Sequence, residues 1–205
     1  DLLYGLNRPT GLPATVVILD VSDPSDITLV AEHPVVGDAD PIPAAFLGMD
    51  MNDSIGYFTY IANSVNGIGM GFSVVDLSDS MNPVYIGHRF FNGTEDFFGL
   101  FGSVGYGSNV YIYGHHPVIG TGVHIFDHSD PALPVVGFLP SDSYKMTIHD
   151  SMLFINGVSA RVYDLVDPDA PSLISEFSNV GSSTSVSFFG DDAFLNTSND
   201  GIRRY

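Results

Sequence analysis

The chain repeats one short pattern four times. Each copy is an apolar run that ends in Asp, followed after two residues by a second Asp and, in three of the copies, by Pro. The copies are VVILDVSDPSD (Val16 to Asp26), FSVVDLSDSMNP (Phe72 to Pro83), VHIFDHSDPALP (Val123 to Pro134) and ARVYDLVDPDAP (Ala160 to Pro171). An internal repeat constrains the architecture more strongly than any local motif, because each copy must form the same structural unit.

The first Asp of each copy recurs after 56, 51 and 37 residues. The average is close to the 40 to 50 residues of a β-propeller blade of four strands. We therefore predict an all-β protein, a β-propeller in which four to five blades are visible. The expected blades cover 1–35 (partial), 44–91, 97–139, 143–177 and 184–205 (partial), as a single propeller domain or fragment spanning 1–205. A β-solenoid is the alternative, although its repeats are usually shorter and have fewer strands.

Strands within a blade are named A to D in chain order. The first expected blade lacks strand A and the last lacks strand D, so the two do not combine into one blade. The final run, GIRRY, stops at Tyr205, one residue before the next Asp of the pattern is due. On this basis we expect the chain to be part of a larger propeller of the seven-bladed type.

Composition agrees with short strands joined by many turns. There are 22 Gly and 13 Pro, the acids are almost all Asp, and Lys145 is the only Lys. The net charge of −18 argues against nucleic acid as a partner, because phosphate binding needs Lys and Arg. It is compatible with cations, with basic partners, or simply with solubility. The chain has no Cys and no apolar stretch of the roughly 20 residues that a membrane helix needs.

The unit resembles the LVIVD repeat, in which an apolar run is followed by D-V-S-D-P, a short spacer and P-x-x-V-G. The first three copies match this pattern well, whereas the fourth has Val166 in place of Ser and no Gly after its last strand. The resemblance implies a secreted or cell-surface β-propeller of bacteria or archaea, with the periplasm or outer envelope as further locations. It implies no catalytic residues.

The repeated Asp residues have a structural explanation. An Asp side chain can accept a hydrogen bond from the backbone amide two residues further on, and Pro then ends ladder pairing. Together they would end strand C and direct the chain into strand D. Calcium binding by Asp20, Asp76, Asp127 and Asp164 is the alternative.

Acidic residues also fall in the expected D–A connections. They are Asp38, Asp40, Glu95, Asp96 and Asp142. In a propeller these connections approach the mouth of the central channel, where carboxylates from adjacent blades could converge. Converging carboxylates would suit Ca²⁺, the only cofactor that the sequence suggests, or a basic partner. Ordinary acidic turns are the alternative.

The expected B–C loops lie on the same face and are the second candidate site. They contain Asn66 (loop 65–69) and the pair His115-His116 (loop 114–120). Histidines can ligate a metal or exchange protons, but neighbours on an extended chain point in opposite directions and rarely share one ion. The prediction is an exposed polar loop on the face that binds a ligand or partner. The segment from Asp50 to Gly56 has some features of a calcium loop but is better explained as a hairpin turn.

No catalytic motif accompanies the repeat. The favoured function is therefore a non-catalytic binding or assembly module, outside the cell or at its surface, with a protein or glycan partner. One alternative is a calcium-dependent, lactonase-like hydrolase that uses acids at the channel mouth, such as Asp96 and Asp142. Another is a structural subunit of an extracellular or envelope complex.

Overall fold

A computed structural model describes residues 1–7, 15–35, 43–64, 67–92, 102–143, 145–157, 159–177, 183–190, 192–197 and 201–204. Within these ranges the chain forms β-strands and no helix. In chain order the strands are β1 (Leu2–Asn7), β2 (Thr15–Asp20), β3 (Thr28–Pro34), β4 (Pro43–Asn52), β5 (Ile55–Ser64), β6 (Gly67–Asp76), β7 (Val84–Asn92), β8 (Ser103–Tyr106), β9 (Asn109–His116), β10 (Gly120–Asp127), β11 (Val135–Pro140), β12 (Lys145–His149), β13 (Met152–Asn156), β14 (Ala160–Asp164), β15 (Ser172–Phe177), β16 (Ser183–Phe189), β17 (Asp192–Thr197) and β18 (Gly201–Arg204).

The strands form five antiparallel sheets, each made of strands that follow one another in the chain. Their orders are β1-β2-β3, β4-β5-β6-β7, β8-β9-β10-β11, β12-β13-β14-β15 and β16-β17-β18. The first strands of the last four sheets contact one another in sequence, β4 with β8, β8 with β12, and β12 with β16. These strands are therefore the innermost of each sheet, and the fold is the predicted β-propeller.

Apolar side chains fill the space between successive sheets rather than one central core. Four clusters of buried residues join the first sheet to the second, the second to the third, the third to the fourth and the fourth to the fifth. In the cluster between the second and third sheets, Phe72 and Phe126 are fully buried, with ring centroids 4.8 Å apart. Because both faces of an inner sheet are covered, its strands are apolar without strict alternation.

The Asp repeat forms the predicted turn in all four copies. The first Asp of each copy accepts the amide hydrogen of the residue two positions on, at 2.8 to 2.9 Å, from Ser22, Ser78, Ser129 and Val166. The second Asp does the same at 2.9 to 3.2 Å, with Ser25, Met81, Ala132 and Asp169 as donors. Two consecutive Asx turns thus join strand C to strand D, and the structural explanation of the repeat is confirmed.

Strands C and D are also interrupted by a β-bulge in every copy. In each copy the C–D pairing shifts between the second and the first residue before the signature Asp. One residue of strand D is left without a partner in the ladder at each shift, and it is always β-branched: Val30, Ile86, Val136 and Ile174. A bulge bends the strand and increases its twist, so the outer strand of every blade curves in the same way.

The turn between β8 and β9 is short. Gly105 and Tyr106 still belong to β8, because they pair with Val110 and Asn109. The turn therefore has only two residues, and the first of them, Gly107, has a φ of 59°. A two-residue turn of this kind favours a residue that tolerates positive φ, and Gly does so without steric cost.

We expect Asp127→Ala to lower the free energy of unfolding by about 1 kcal/mol, because the Ser129 amide loses its acceptor. Asp127→Asn should stay close to the wild type, since the amide oxygen can still accept this bond. Urea denaturation of the three proteins measures both effects. The calcium interpretation would be favoured instead if Asp127→Ala and Asp127→Asn lost the same stability and if added calcium stabilised only the wild type.

Candidate functional site

The antiparallel order sorts the connections onto two faces. The A–B and C–D turns share one face, and the B–C and D–A connections share the other, because consecutive strands run in opposite directions. The double Asx turns lie on the first face. Of the two candidate sites predicted from the sequence, the described members His115, His116 and Asp142 lie on or beside the second.

The predicted B–C loop of the third blade is shorter than expected, and this corrects the placement of His115 and His116. Both belong to β9, where they pair with Thr121 and Gly120 of β10. The connection itself is residues 117–119, since Pro117 cannot continue the ladder and Gly120 adopts a φ of 112°. In the second blade, likewise, β5 and β6 extend the ladder to Ser64 and Gly67. Asn66 lies outside the described residues.

The two histidine rings have separate tasks. The Nδ1 atom of His116 accepts the amide hydrogens of Val118 and Ile119, each at 3.1 Å, and so holds the turn from within. The Nδ1 atom of His115 lies 2.7 Å from the Thr121 hydroxyl oxygen. This geometry does not direct both rings at one ion. Within the described ranges, moreover, no three residues of the types His, Cys, Asp or Glu are grouped as a metal site would require.

The tip of this turn is apolar and open to solvent. The Val118 side chain is 87% exposed and Ile119 is also exposed. In the neighbouring second blade, Ile68 is exposed close to the equivalent turn. Exposed aliphatic side chains at or beside two successive B–C turns mark this face as a candidate interaction surface.

A third histidine lies beneath the turn. His124 is fully buried, and its ring centroid is 6.2 Å from that of His116 and 4.8 Å from that of Phe138. Burial lowers the pKa of His124 to about 4, with a smaller effect from His116. The ring is therefore neutral at physiological pH and acts as a packing element of the third blade. Nothing in the sequence distinguishes it from its half-buried neighbours His115 and His116.

Among the acids predicted for calcium, only Asp142 lies in the described part of the chain; Asp38, Asp40, Glu95 and Asp96 lie outside it. Asp142 is exposed, and a Cβ atom at Gly157 would lie 3.0 Å from its Oδ1 atom. Burial raises the pKa of Tyr113, and the Asp142 carboxylate adds to this shift. Asp142, in the connection from β11 to β12, thus lies beside the B–C connection of the fourth blade and near Tyr113 of the third blade. The convergence of the other acids with Asp142 stays a prediction.

Two adjoining cavities lie against the inner strands β4, β8, β12 and β16. Their volumes are about 260 Å³ and 290 Å³, and they share Met146 and Thr147 of β12. One is also lined by Gly102, Ser103, Lys145, Asn156, Ser185 and Val186, and the other by Asp50, Met51, Asn52, Val104, Gly105 and Ile148. The channel wall therefore carries the only Lys of the chain, a carboxylate, and several hydroxyl and amide groups.

Asp50 is the most perturbed acid of the described residues. Its Oδ2 atom accepts the amide hydrogen of Gly105 at 3.1 Å, which links the inner strands of the second and third blades. Burial raises the pKa of Asp50 to about 6, and the hydrogen bonds from Gly105 and Met51 oppose this shift. The sequence prediction placed Asp50 in a hairpin turn and missed this role, because the partner is 55 residues away.

No protein-family model matches the sequence, and no curated protein matches it. Solved structures do match in fold. A computationally designed protein, Ika8, is 9% identical with a TM-score of 0.55, over 98% of this chain and 57% of its own. BamB from Moraxella catarrhalis is 6% identical with a TM-score of 0.57, over 100% of this chain and 59% of its own.

The chain thus spans less than two thirds of either structure that it matches. These similarities show the β-propeller fold alone. The resemblance to the LVIVD repeat stays a prediction, since no family model supports it. None of the described residues form a helix that is long and apolar enough to cross a membrane.

Proposed function

We propose that this chain is a non-catalytic propeller that binds a protein partner through the face formed by its B–C turns. The exposed aliphatic tip at Val118 and Ile119, held by the His116 ring, is the observation that supports this function. An apolar tip on a rigid turn contributes contact area at a small entropic cost, because little has to be ordered on binding.

The partner should combine an apolar patch with basic residues. The net charge of −18 attracts cations over a long range and speeds the encounter with a basic surface. We further propose that the protein acts outside the cell or at its surface, which the resemblance to the LVIVD repeat supports. The calcium-dependent hydrolase and the purely structural subunit stay predictions.

We expect Val118→Asp to weaken partner binding at least tenfold, because a charge placed at the centre of an apolar contact is costly to bury. Val166→Asp is the matched control: Val166 is 84% exposed but follows a signature Asp on the opposite face. Affinity capture from the cell envelope of the source organism, quantified for the wild type and both variants, measures the effect.

Thermal denaturation of each variant should match the wild type, so that a loss of capture reports on binding rather than folding. The proposal fails if Val118→Asp retains every captured protein, or if Val166→Asp loses the same proteins to the same extent.

A further inference from the structure

The B–C turn of the third blade is held by a single imidazole. Pro117 has no amide hydrogen, so Val118 and Ile119 supply the two backbone N–H groups of residues 117–119. Both donate to the Nδ1 atom of His116, at 3.1 Å each. Both amide hydrogens of the connection therefore depend on one ring nitrogen. We name residues 116–120 the histidine turn.

The histidine turn resembles the Asx turns of the opposite face but uses a different acceptor. In those turns Oδ1 of Asp20 and of Asp79 accepts the amide hydrogen two residues further on. Nδ1 of His116 is bonded to Cγ, as Oδ1 is in aspartate, and accepts in the same way. Hydrogen bonds from Ser22 and from Asn82 hold the pKa of Asp20 and of Asp79, respectively, below the usual value, so these Asx turns keep their acceptor in mild acid.

A histidine loses its acceptor when it takes up a proton. Histidine side chains change charge between about pH 5 and pH 8, and both nitrogens of the charged ring are donors. A proton on Nδ1 of His116 would point at the amide hydrogens of Val118 and Ile119. The closed turn is therefore compatible only with a neutral ring that carries its hydrogen on Nε2, and protonation leaves both amides without this acceptor.

The neighbouring histidines leave this titration to His116. Alternation along β9 places His116 on the face of Ile112, which packs against the second blade. His124 of β10 lies on the same face, with its ring centroid 6.2 Å from that of His116. Burial lowers the pKa of His124 to about 4, so this ring stays neutral at pH 5. His115 lies on the other face of the sheet, where its Nδ1 atom contacts Thr121.

The charged groups that approach this sheet from other elements are engaged away from the histidine turn. From the second blade, Arg89 of β7 donates to the carbonyl groups of Ala132 and Leu133, in the C–D turn of the opposite face. Asp50 of β4 accepts the amide hydrogen of Gly105, near the A–B turn.

Asp142 lies near Tyr113, which alternation places on the face of His115 rather than that of His116. The imidazole of His116 is thus the group of the histidine turn whose charge changes in mild acid.

We infer that the histidine turn is a pH-dependent switch: protonation of His116 opens the turn, disperses the apolar tip formed by Val118 and Ile119, and releases the protein partner. This inference rests on the proposed function and adds its regulation. The partner is bound at neutral pH and released in acidic surroundings. The change is local, because the ring of His124 beneath the turn stays neutral and the Asx turns of the opposite face stay closed.

Solvent-exchange NMR of the nitrogen-15-labelled chain tests the switch without a partner. The rates of the Val118 and Ile119 amide hydrogens are measured from pH 8 to pH 5, each divided by the intrinsic rate at the same pH. We expect the protection of both amides to fall at least tenfold over this range. The amides of Ser22 and Met81, which are bound by Asp20 and Asp79, should keep theirs.

Three variants identify the group that titrates. His116→Asn should keep both amides protected at pH 8 and at pH 5, because Oδ1 of asparagine can accept the same hydrogens and does not titrate. His116→Ala should leave them unprotected at both pH values. His115→Asn is the matched control and should behave as the wild type, since it removes an adjacent imidazole that does not bind the turn amides. The inference is overturned if wild-type protection is the same at both pH values, or if His116→Asn loses protection as the wild type does.

Partner release is measured with the immobilised wild type and His116→Asn, loaded at pH 8 with the cell-envelope fraction of the source organism. Proteins that Val118→Asp fails to capture should elute at pH 5 at least tenfold more from the wild type than from His116→Asn. Equal elution from the two would overturn the regulation, because the partner's own titration is common to both. If no captured protein depends on Val118, the proposed function fails, while the exchange measurement still decides whether the turn opens in acid.

Discussion

Gly87→Val is expected to lower the free energy of unfolding by about 2 to 3 kcal/mol, the typical cost of forcing extra carbon atoms into a packed interior. A Cβ atom at Gly87 would lie 2.5 Å from the carbonyl oxygen of Pro131, in the turn of the following blade. The atoms it meets belong to the backbone, so no side chain can rotate out of the way. Equilibrium unfolding in urea measures the loss.

Gly5→Val is the matched control for this change, because no atom lies within 4 Å of a Cβ placed at Gly5. We expect this variant to stay within about 0.5 kcal/mol of the wild type. If both variants lost a comparable free energy of unfolding, glycine would act through its backbone freedom. The close approach of consecutive blades would then not explain the Gly of the repeat.

Asp50→Asn is expected to stabilise the protein at pH 8. The pKa of Asp50 is about 6 in the folded protein and 3.8 in the unfolded chain, so the folded state holds the proton more tightly. Its contribution to stability is fully present below about pH 4 and is lost as the pH rises through about 6. A shift of this size corresponds to at most about 3 kcal/mol.

Asparagine removes the titration but keeps an oxygen for the Gly105 amide. Urea denaturation from pH 3.5 to pH 8 should therefore show that the free energy of unfolding of Asp50→Asn increases relative to that of the wild type as the pH rises. Asp53→Asn is the control, because it removes the same charge from an exposed turn three residues away. If both variants follow the same pH profile, the burial of Asp50 in the channel wall is not the cause.

The features that the sequence predicted well are local ones. The turns made by Asp20, Asp76, Asp127 and Asp164 depend on amides two residues away, and such bonds form wherever the residue types occur in that order. The count and order of the strands followed from these turns. The lengths of β9 and β10 did not, because the pair His115-His116 was taken as polar loop when the ladder continues through it.

The features that the sequence did not predict depend on residues far apart in the chain. Nothing near Asp50 indicates that the amide of Gly105 will meet its carboxylate. The Gly in the repeat was noted as part of a pattern, but its cause is the carbonyl group of the next blade. The role of His116 was hidden for another reason: its partners are close in sequence, but which ring atom accepts them depends on the shape of the closed turn.

The placement of the buried clusters has a consequence for the order in which the chain acquires structure. Each cluster joins only sheets that are consecutive in the chain. Contacts between neighbouring units have a low entropic cost, because only a short loop has to close to form them. Folding can therefore propagate from one unit to the next. A chain that emerges gradually from a ribosome or a secretion pore can thus complete each sheet against the one already formed, without waiting for its last residues.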